Sequence, residues 1–455
     1  MKDVRFLKIQ HYSDHPEVAS AAEFLVESLM SKRQRRRDAD RYLRDAKKLI
    51  ASLWMKGEAD LFRFTTKAEY FSASKRKQVW MTSRVKTLFN EMRELEWVHL
   101  VKKAIPPHSS TKSSGGQSAI YCRTKKFKDL LITLSHVDIL PNPDAPRVEL
   151  RDEDRVLIEL PESYQSSKAY EHTKKVLGDH YELLKDSDIR FSDSKPAPLS
   201  MLYFVRKFRP DLSSGGRFYA SIQNMPKQER LGMTMGGKAV ASLDISQLHP
   251  ALILRLTQGV EREVDSMLFP ALKDAYVMPG YAELPRAVHK KLINTLFNAA
   301  TEDSAARSLM NTHYWYDIFT DEWVVKSYKG GEKREGFKVF PIKPKKSAIA
   351  YIEVFKLHHP AFTSAICSGI GSKLQLLDSQ LIELMMSIAT AAEVPVIPVH
   401  DEIILPNDAK TFAEVMLERS FRATIKEAGQ FGVLAAKWSD LNGEEEVKIN
   451  LGLQS

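Results

Sequence analysis

The sequence predicts a mixed α/β (α+β) chain, with a mainly helical, basic N-terminal region followed by a larger α/β unit. Three observations carry that reading. Residues 239–243 form an apolar run that ends in Asp244, and helical sequence from Ala251 to Leu256 follows. "PVIPVHDEIILP", residues 395–406, sets His400, Asp401 and Glu402 between two runs of apolar β-formers, which is the pattern of a hairpin. "SRVKTLFNEMRELEWV", "HLVKKAI", "PPHSSTKSSGGQ" and "SAIYCRT" follow one another as helix, strand, flexible polar loop and strand.

Taken in order, residues 16–55 place apolar positions at helical spacing with few breakers and predict helix. The helix, strand, basic loop and strand of residues 75–130 have the order of a winged helix-turn-helix domain. In that arrangement the helix enters a nucleic-acid groove and the loop lies along the phosphates. Charge gathers in the same region, in "SKRQRRRDADRYLRDAKK" and "SASKRKQVWMTSRVK". Lys75, Arg76, Lys77, Arg84 and Lys86 are therefore candidate nucleic-acid contacts. "KFKDLLITL" predicts the start of a further helix. "LPNPDAPRVELRDED" is the clearest break and reads as a linker, with helical sequence around "SSKAYEHTKKVLGDHYELL". The expected organisation is a basic region over 1–135, a linker and helical segment over 136–200, and one α/β unit over 201–455.

Composition bounds the function. The chain has 455 residues, 43% hydrophobic and 27% charged, which describes a globular protein with room for two or three domains. No apolar stretch approaches the roughly 18 residues of a membrane span, and the first residues lack the apolar core of a signal peptide. Two cysteines, Cys122 and Cys367, make neither a disulfide framework nor a zinc cluster. A cytoplasmic protein with oxygen-ligated metal, if any, is the expectation, and the net charge of +9 suits a polyanionic partner.

Asp244 and Asp401 lie far apart in the sequence, so they can meet only if their strands are neighbours in a sheet. Two such acids could hold two Mg²⁺ ions for in-line phosphoryl transfer, with Mn²⁺ as an alternative occupant. Between them, "RAVHKKLINTLFNAAT" places Arg286, Lys290, Ile293 and Phe297 along one side of a helix. Cations one turn apart form a clamp for a triphosphate.

Aspartate strand and helix, then an R-x-x-x-K helix, then an HDE hairpin, resembles the palm–fingers–palm order of family A DNA polymerases. Phage-type single-subunit RNA polymerases share that order. The upstream "GGRFYASIQNMPKQERLGMTMGG" is similar to the "GR…QNIP" segment of the DNA polymerases, and its "GRFYA" to the "GRVYA" of the RNA polymerases. "DISQ" and "VHDE" are nearer the DNA polymerase forms. The resemblance covers roughly residues 213–425 and contains nothing like a 3′–5′ exonuclease domain.

The resemblance implies a right-hand polymerase palm with an antiparallel sheet and helical fingers, acting on a template–primer and nucleoside triphosphates. It implies that Asp244 and Asp401 are the metal-binding carboxylates, Glu402 an accessory acid, and His400 the neighbour of the primer end. Lys290 and Arg286 would take the triphosphate, with Gln247, His249, Asn294 and Asn298 around the nucleotide. Arg217 would contact the template–primer or the nucleotide. Two departures stand out. Asn298 and Ala299 occupy the family's Tyr-Gly positions, and His249 replaces a Glu of the DNA polymerase motif. "LHPALI" instead resembles the "LYPSI" of family B DNA polymerases, and a ring at position 249 would crowd a ribose 2′-OH. The expected function is DNA-polymerase-like nucleotidyl transfer. The alternatives are a single-subunit RNA polymerase or primase, and a catalytically inactive DNA-binding replication or regulatory factor.

Overall fold

The computed structural model of the chain describes residues 7, 9, 11–32, 38–55, 61–64, 82–103, 119–152, 157–210, 212–257, 275–281, 284–317, 322–327, 338–339, 345–425 and 433–450. It is a mixed α/β protein whose sheets are antiparallel wherever their register is defined. The chain divides into two units, one of residues 1–205 with 220–236, the other of residues 206–219 with 237–455.

In the first unit the amphipathic stretch of residues 16–55 forms two helices, α1 (Pro16–Ser31) and α2 (Ala39–Trp54). Strand β1 (Leu61–Arg63) follows, then α3 (Ser83–Glu94), β2 (Val98–Lys102) and β3 (Ile120–Arg123). The strands form one antiparallel sheet in the order β1-β3-β2. Helix α3 starts where the Thr82 hydroxyl accepts from the Val85 N–H, one of the amides a first turn leaves without an intrahelical partner. Its apolar face meets the sheet through Phe89, whose ring stacks on Phe64 at 3.9 Å. Phe62, Trp97 and Phe127 complete a buried aromatic core. Helix, strand and strand thus occur in the expected order. The loop "PPHSSTKSSGGQ" and the cluster Lys75, Arg76 and Lys77 lie outside the described residues.

Two expectations for this unit need correction. "KFKDLLITL" gives only one helical turn, Lys125–Lys128. The Glu17 carboxylate accepts from the N–H groups of Thr133 and Leu134, which draws those amides away from helix. The Pro- and acid-rich break also holds a strand, Val148–Arg151, in which Val148, Glu149 and Leu150 are all buried. The helical stretch that follows is α4 (Lys168–Asp186), capped by the Ser167 hydroxyl on the Tyr170 N–H.

The second unit is built on five antiparallel strands. Strands β4 (Val205–Phe208) and β5 (Gly215–Tyr219) are neighbours elsewhere in the unit, while β6 (Lys238–Ile245) forms the middle of the five. Helix α5 (Leu248–Thr257) follows β6 directly, and α6 (Arg286–Asn298), α7 (Lys345–His358) and α8 (Gly371–Ala391) come next. The hairpin of β7 (Ile397–Val399) and β8 (Glu402–Pro406) then joins the sheet. Helix α9 (Lys410–Ile425) leads to the closing hairpin, β9 (Val433–Asp440) and β10 (Gly443–Asn450). The order of the five strands is β7-β8-β6-β9-β10.

Helix α8 is the hub, since it packs against β5, α5, α6 and α9. Its approach to β5 is close because Gly216 stands there with φ of 75°. A Cβ at Gly216 would lie 2.9 Å from the Ser379 hydroxyl and 3.0 Å from Leu376 and Phe208. Gly216→Ala is therefore expected to destabilise the fold by about 1–3 kcal/mol, from left-handed strain plus the clash. Urea unfolding of the variant measures this, and a change under about 0.5 kcal/mol would mean that α8 does not need this approach.

Candidate functional site

The acidic end of the sheet is fixed by register. Strand β6 pairs with β8 so that Asp244 stands opposite Glu402, and with β9 so that Asp244 also stands opposite Lys437. Directly opposed residues share a face of the sheet, so one carboxylate lies between another carboxylate and a cation. The two-residue turn His400–Asp401 joins β7 to β8, with His400 at φ of 61°. The Ile245 N–H donates to the Asp401 carbonyl at 3.3 Å, which ties the turn to the end of β6. Asp244, Asp401 and Glu402 are all half-buried, while His400 is exposed. The structure thus brings together the acids expected from sequence, with Glu402 rather than Asp401 directly across from Asp244.

Among the described residues, no group of three or more His, Cys, Asp and Glu side chains is arranged to hold a metal ion. The acid pair is nevertheless a hard-oxygen donor set. Mg²⁺ is commonly held by one or two carboxylates together with substrate phosphates and water, and Asp244 and Asp401 are donors of that type.

Beside the acidic turn lies a buried ionic network. Arg217 on β5 donates from Nε to both carboxylate oxygens of Asp378, at 3.2 and 3.0 Å, and also from Nη2 to Oδ2. His249, in the first turn of α5, places Nε2 2.9 Å from the same Oδ2. Because an ionised carboxylate only accepts, Nε2 carries the proton and donates. The Arg217 Nη2, 3.4 Å from that nitrogen, is then a neighbour rather than a donor to it. Asp378 is fully buried, and the side chains of His249 and Arg217 are 18% and 20% exposed. Burial works against the Arg217 charge, but hydrogen bonding and charge from Asp378, with the charge of Asp401, outweigh it and raise the pKa of the guanidinium. Two residues along β5, Tyr219 meets the His400 ring edge-on at 5.8 Å. The side chain of Arg217 is thus engaged by α8 at the flank of the acidic turn.

A second buried pair lies one turn and a half along α8. Arg206 on β4 donates to Glu383 at 2.6 Å and to the Gly216 carbonyl at 2.9 Å, and its guanidinium lies over the Phe208 and Phe218 rings. Sequence reasoning missed Asp378, Glu383, Arg206 and Lys437. The available signal was two acids five positions apart inside the apolar run "LQLLDSQLIELMMSIATA". Such acids are unstable in a core without cationic partners.

The remaining expected residues divide between exposed and internally used. Arg286 and Lys290 of α6 are exposed, whereas Ile293 and Phe297 are fully buried, so the stripe passes from solvent into the core along the helix. Arg286 also lies over the Tyr276 ring at 5.2 Å. His289, between the two cations, is buried, with Nδ1 2.8 Å from the Tyr351 hydroxyl and Nε2 3.1 Å from the Tyr281 carbonyl. The carbonyl can only accept, so Nε2 donates and Nδ1 takes the hydroxyl proton of Tyr351. That arrangement pins the helix that carries the cations. Asn298 donates to the Asn294 carbonyl at 2.7 Å, and the buried Oδ1 of Asn294 has no hydrogen-bond partner among the described residues. The Gln247 side chain accepts from the Ala275 N–H at 2.8 Å, so its carbonyl oxygen serves the fold.

In the first unit, the Arg84 Nε donates to Asp45 of α2 at 2.9 Å, where Thr82 also donates. Arg84 therefore anchors the start of α3, and that part of its fork is not open to phosphate. Lys86 on the same helix is half-exposed.

The Arg206–Glu383 pair yields a stability prediction. Arg206→Met leaves a buried carboxylate without its cation and is expected to cost about 3–5 kcal/mol in urea unfolding. Arg206→Met with Glu383→Leu should recover most of that loss. Equal stability of the single and double variants would show that the carboxylate is not what makes the single change costly. No match to this chain is found among protein-family models or among curated proteins.

Proposed function

We propose that the chain is a template-directed nucleotidyl transferase of the DNA-polymerase kind, working by a two-metal mechanism at the acidic end of the sheet. The observation that carries the reading is the register that brings Asp244 beside Glu402 and the His400–Asp401 turn, although these segments are far apart in sequence. In the reaction a primer 3′-oxygen attacks the α-phosphorus of a nucleoside triphosphate. A new P–O bond forms, and the bond to pyrophosphate breaks as the hydroxyl proton passes to solvent water. Bound Mg²⁺ would activate the attacking oxygen and neutralise charge on the phosphates. Asp244 near the end of β6, and Asp401 in the turn that the Ile245 N–H ties to that strand, would hold the ion. Arg286 and Lys290 bind the β- and γ-phosphates and stabilise the departing pyrophosphate. His400 borders the primer end, and His249 lies against the sugar.

The preference for deoxynucleotides rests on His249. Its ring is held by Asp378 through Nε2, so it cannot swing aside without breaking a buried hydrogen bond. A ribose 2′-OH meeting that ring would clash or be left without a partner, at a cost of about 1–3 kcal/mol, roughly 5- to 150-fold in discrimination. Nucleic acid would be gripped by the first unit through Lys86 of α3 and the exposed Lys125 and Lys126.

Primer extension with dNTPs and NTPs in parallel tests the reading. Asp244→Asn and Asp401→Asn should each abolish incorporation, a loss of several kcal/mol of transition-state stabilisation, in protein that still unfolds cooperatively. Substantial extension by either folded variant contradicts the assignment. His249→Gly should lower the dNTP-over-NTP ratio of kcat/KM by at least about fivefold. A wild-type ratio below one would make the chain an RNA polymerase or primase.

Binding to duplex DNA supplies a separate check on the first unit. Replacing Lys86, Lys125 and Lys126 with Gln should flatten the log–log salt dependence by about 0.9 for each phosphate that is no longer neutralised. An unchanged slope would remove these lysines from the interface. Charge replacement is preferable to deleting residues 75–130, because Phe89 and Trp97 are part of the core.

A further inference from the structure

Asp378 accepts from both Arg217 and His249 beside the acidic turn, and the proposed reaction assigns it no step. We propose that Asp378 is a positioning residue that holds the Arg217 guanidinium off Asp401, leaving the acidic turn available to a divalent cation. The proposal rests on the nucleotidyl-transfer reading of that turn.

The geometry leads there in three steps. First, Arg217 is largely buried, so its charge needs a partner wherever it points. Asp378 meets that need with both oxygens and takes His249 as well. Second, β5 passes close to the hairpin, since it packs against β7 and Tyr219 meets His400. Arg217 and Tyr219 are two positions apart on one strand and so share a face. The acid next to His400 is Asp401, whose charge acts on Arg217. Third, an Arg fork that closed on Asp401 would occupy the carboxylate oxygens a cation requires and add positive charge beside it. The neighbouring Arg206–Glu383 pair, on the same helix and strand pair, supplies an internal control.

Mn²⁺ binding to the full chain without nucleotide, followed by the electron paramagnetic resonance of the free ion, tests the proposal. Wild type should bind Mn²⁺, and Asp401→Asn should weaken that binding sharply. Asp378→Asn should weaken it on the order of tenfold or more, because the released guanidinium turns to Asp401. Asp378→Asn combined with Arg217→Met should return the affinity to within about threefold of wild type. Glu383→Gln should leave it unchanged.

Arg217→Met alone gives a reading that does not depend on whether Asp378→Asn folds. It should bind Mn²⁺ at least as tightly as wild type. Weaker binding by Arg217→Met overturns the proposal, as does wild-type affinity in a folded Asp378→Asn. A double variant as weak as Asp378→Asn would assign Asp378 a merely structural role. If wild type shows no Mn²⁺ binding sensitive to Asp401, both this proposal and the nucleotidyl-transfer reading fail. Wild-type binding that ignores Asp378 ends this proposal alone.

Discussion

The second unit is organised around a carboxylate buried in an apolar helix. Asp378 can remain charged at full burial because Arg217 and His249 both donate to it. An unpaired buried carboxylate is costly enough to unfold a marginally stable domain, so its partners must arrive with the helix. They come from β5 and α5, and the requirement therefore fixes where those elements meet α8. Arg206 and Glu383 repeat the device further along the same helix, and Gly216 removes the side chain that would keep the strand away. These interactions orient more than they stabilise, because apolar residues of equal volume could fill the same space without desolvating charge.

Orientation matters because of what lies beside the network. Strand pairing alone brings Asp244, Glu402 and Lys437 into one row, and the turn adds Asp401 at its end. Acids gathered in this way repel one another unless a cation is near. Lys437 and Arg217 supply positive charge there, and each is also engaged by another carboxylate, Glu444 and Asp378 respectively. A divalent ion that brings phosphate oxygens with it would complete the row.

The parts of this arrangement that depend on local pattern were legible in the sequence. The hairpin about His400 and Asp401, the apolar strand ending in Asp244, and the cationic start of α6 follow from periodicity and turn chemistry. The register that sets Asp244 opposite Glu402 rather than Asp401 was not legible, because it depends on strand pairing between distant segments. Asp378 was also hidden. Its partners lie 161 and 129 positions away, and an acid in an apolar run announces strain without naming what relieves it. Competition for backbone donors explains why a second pattern misled. The apolar spacing of "KFKDLLITL" suits a helix, but Glu17, 116 positions earlier, binds the amides of the later turn. Gln247 shows the same dependence on a distant partner, since its carbonyl oxygen accepts from the Ala275 N–H.

In the proposed reaction Asp244 and Asp401 act together on a metal-bound nucleotide. Anomalous diffraction from crystals soaked with Mn²⁺ and a non-hydrolysable deoxynucleoside triphosphate tests it most directly. The expected result is an anomalous peak held by carboxylate oxygens of both aspartates, with phosphate oxygens completing its shell. A well-ordered nucleotide with its metal bound elsewhere, or a peak that touches neither aspartate, would contradict it.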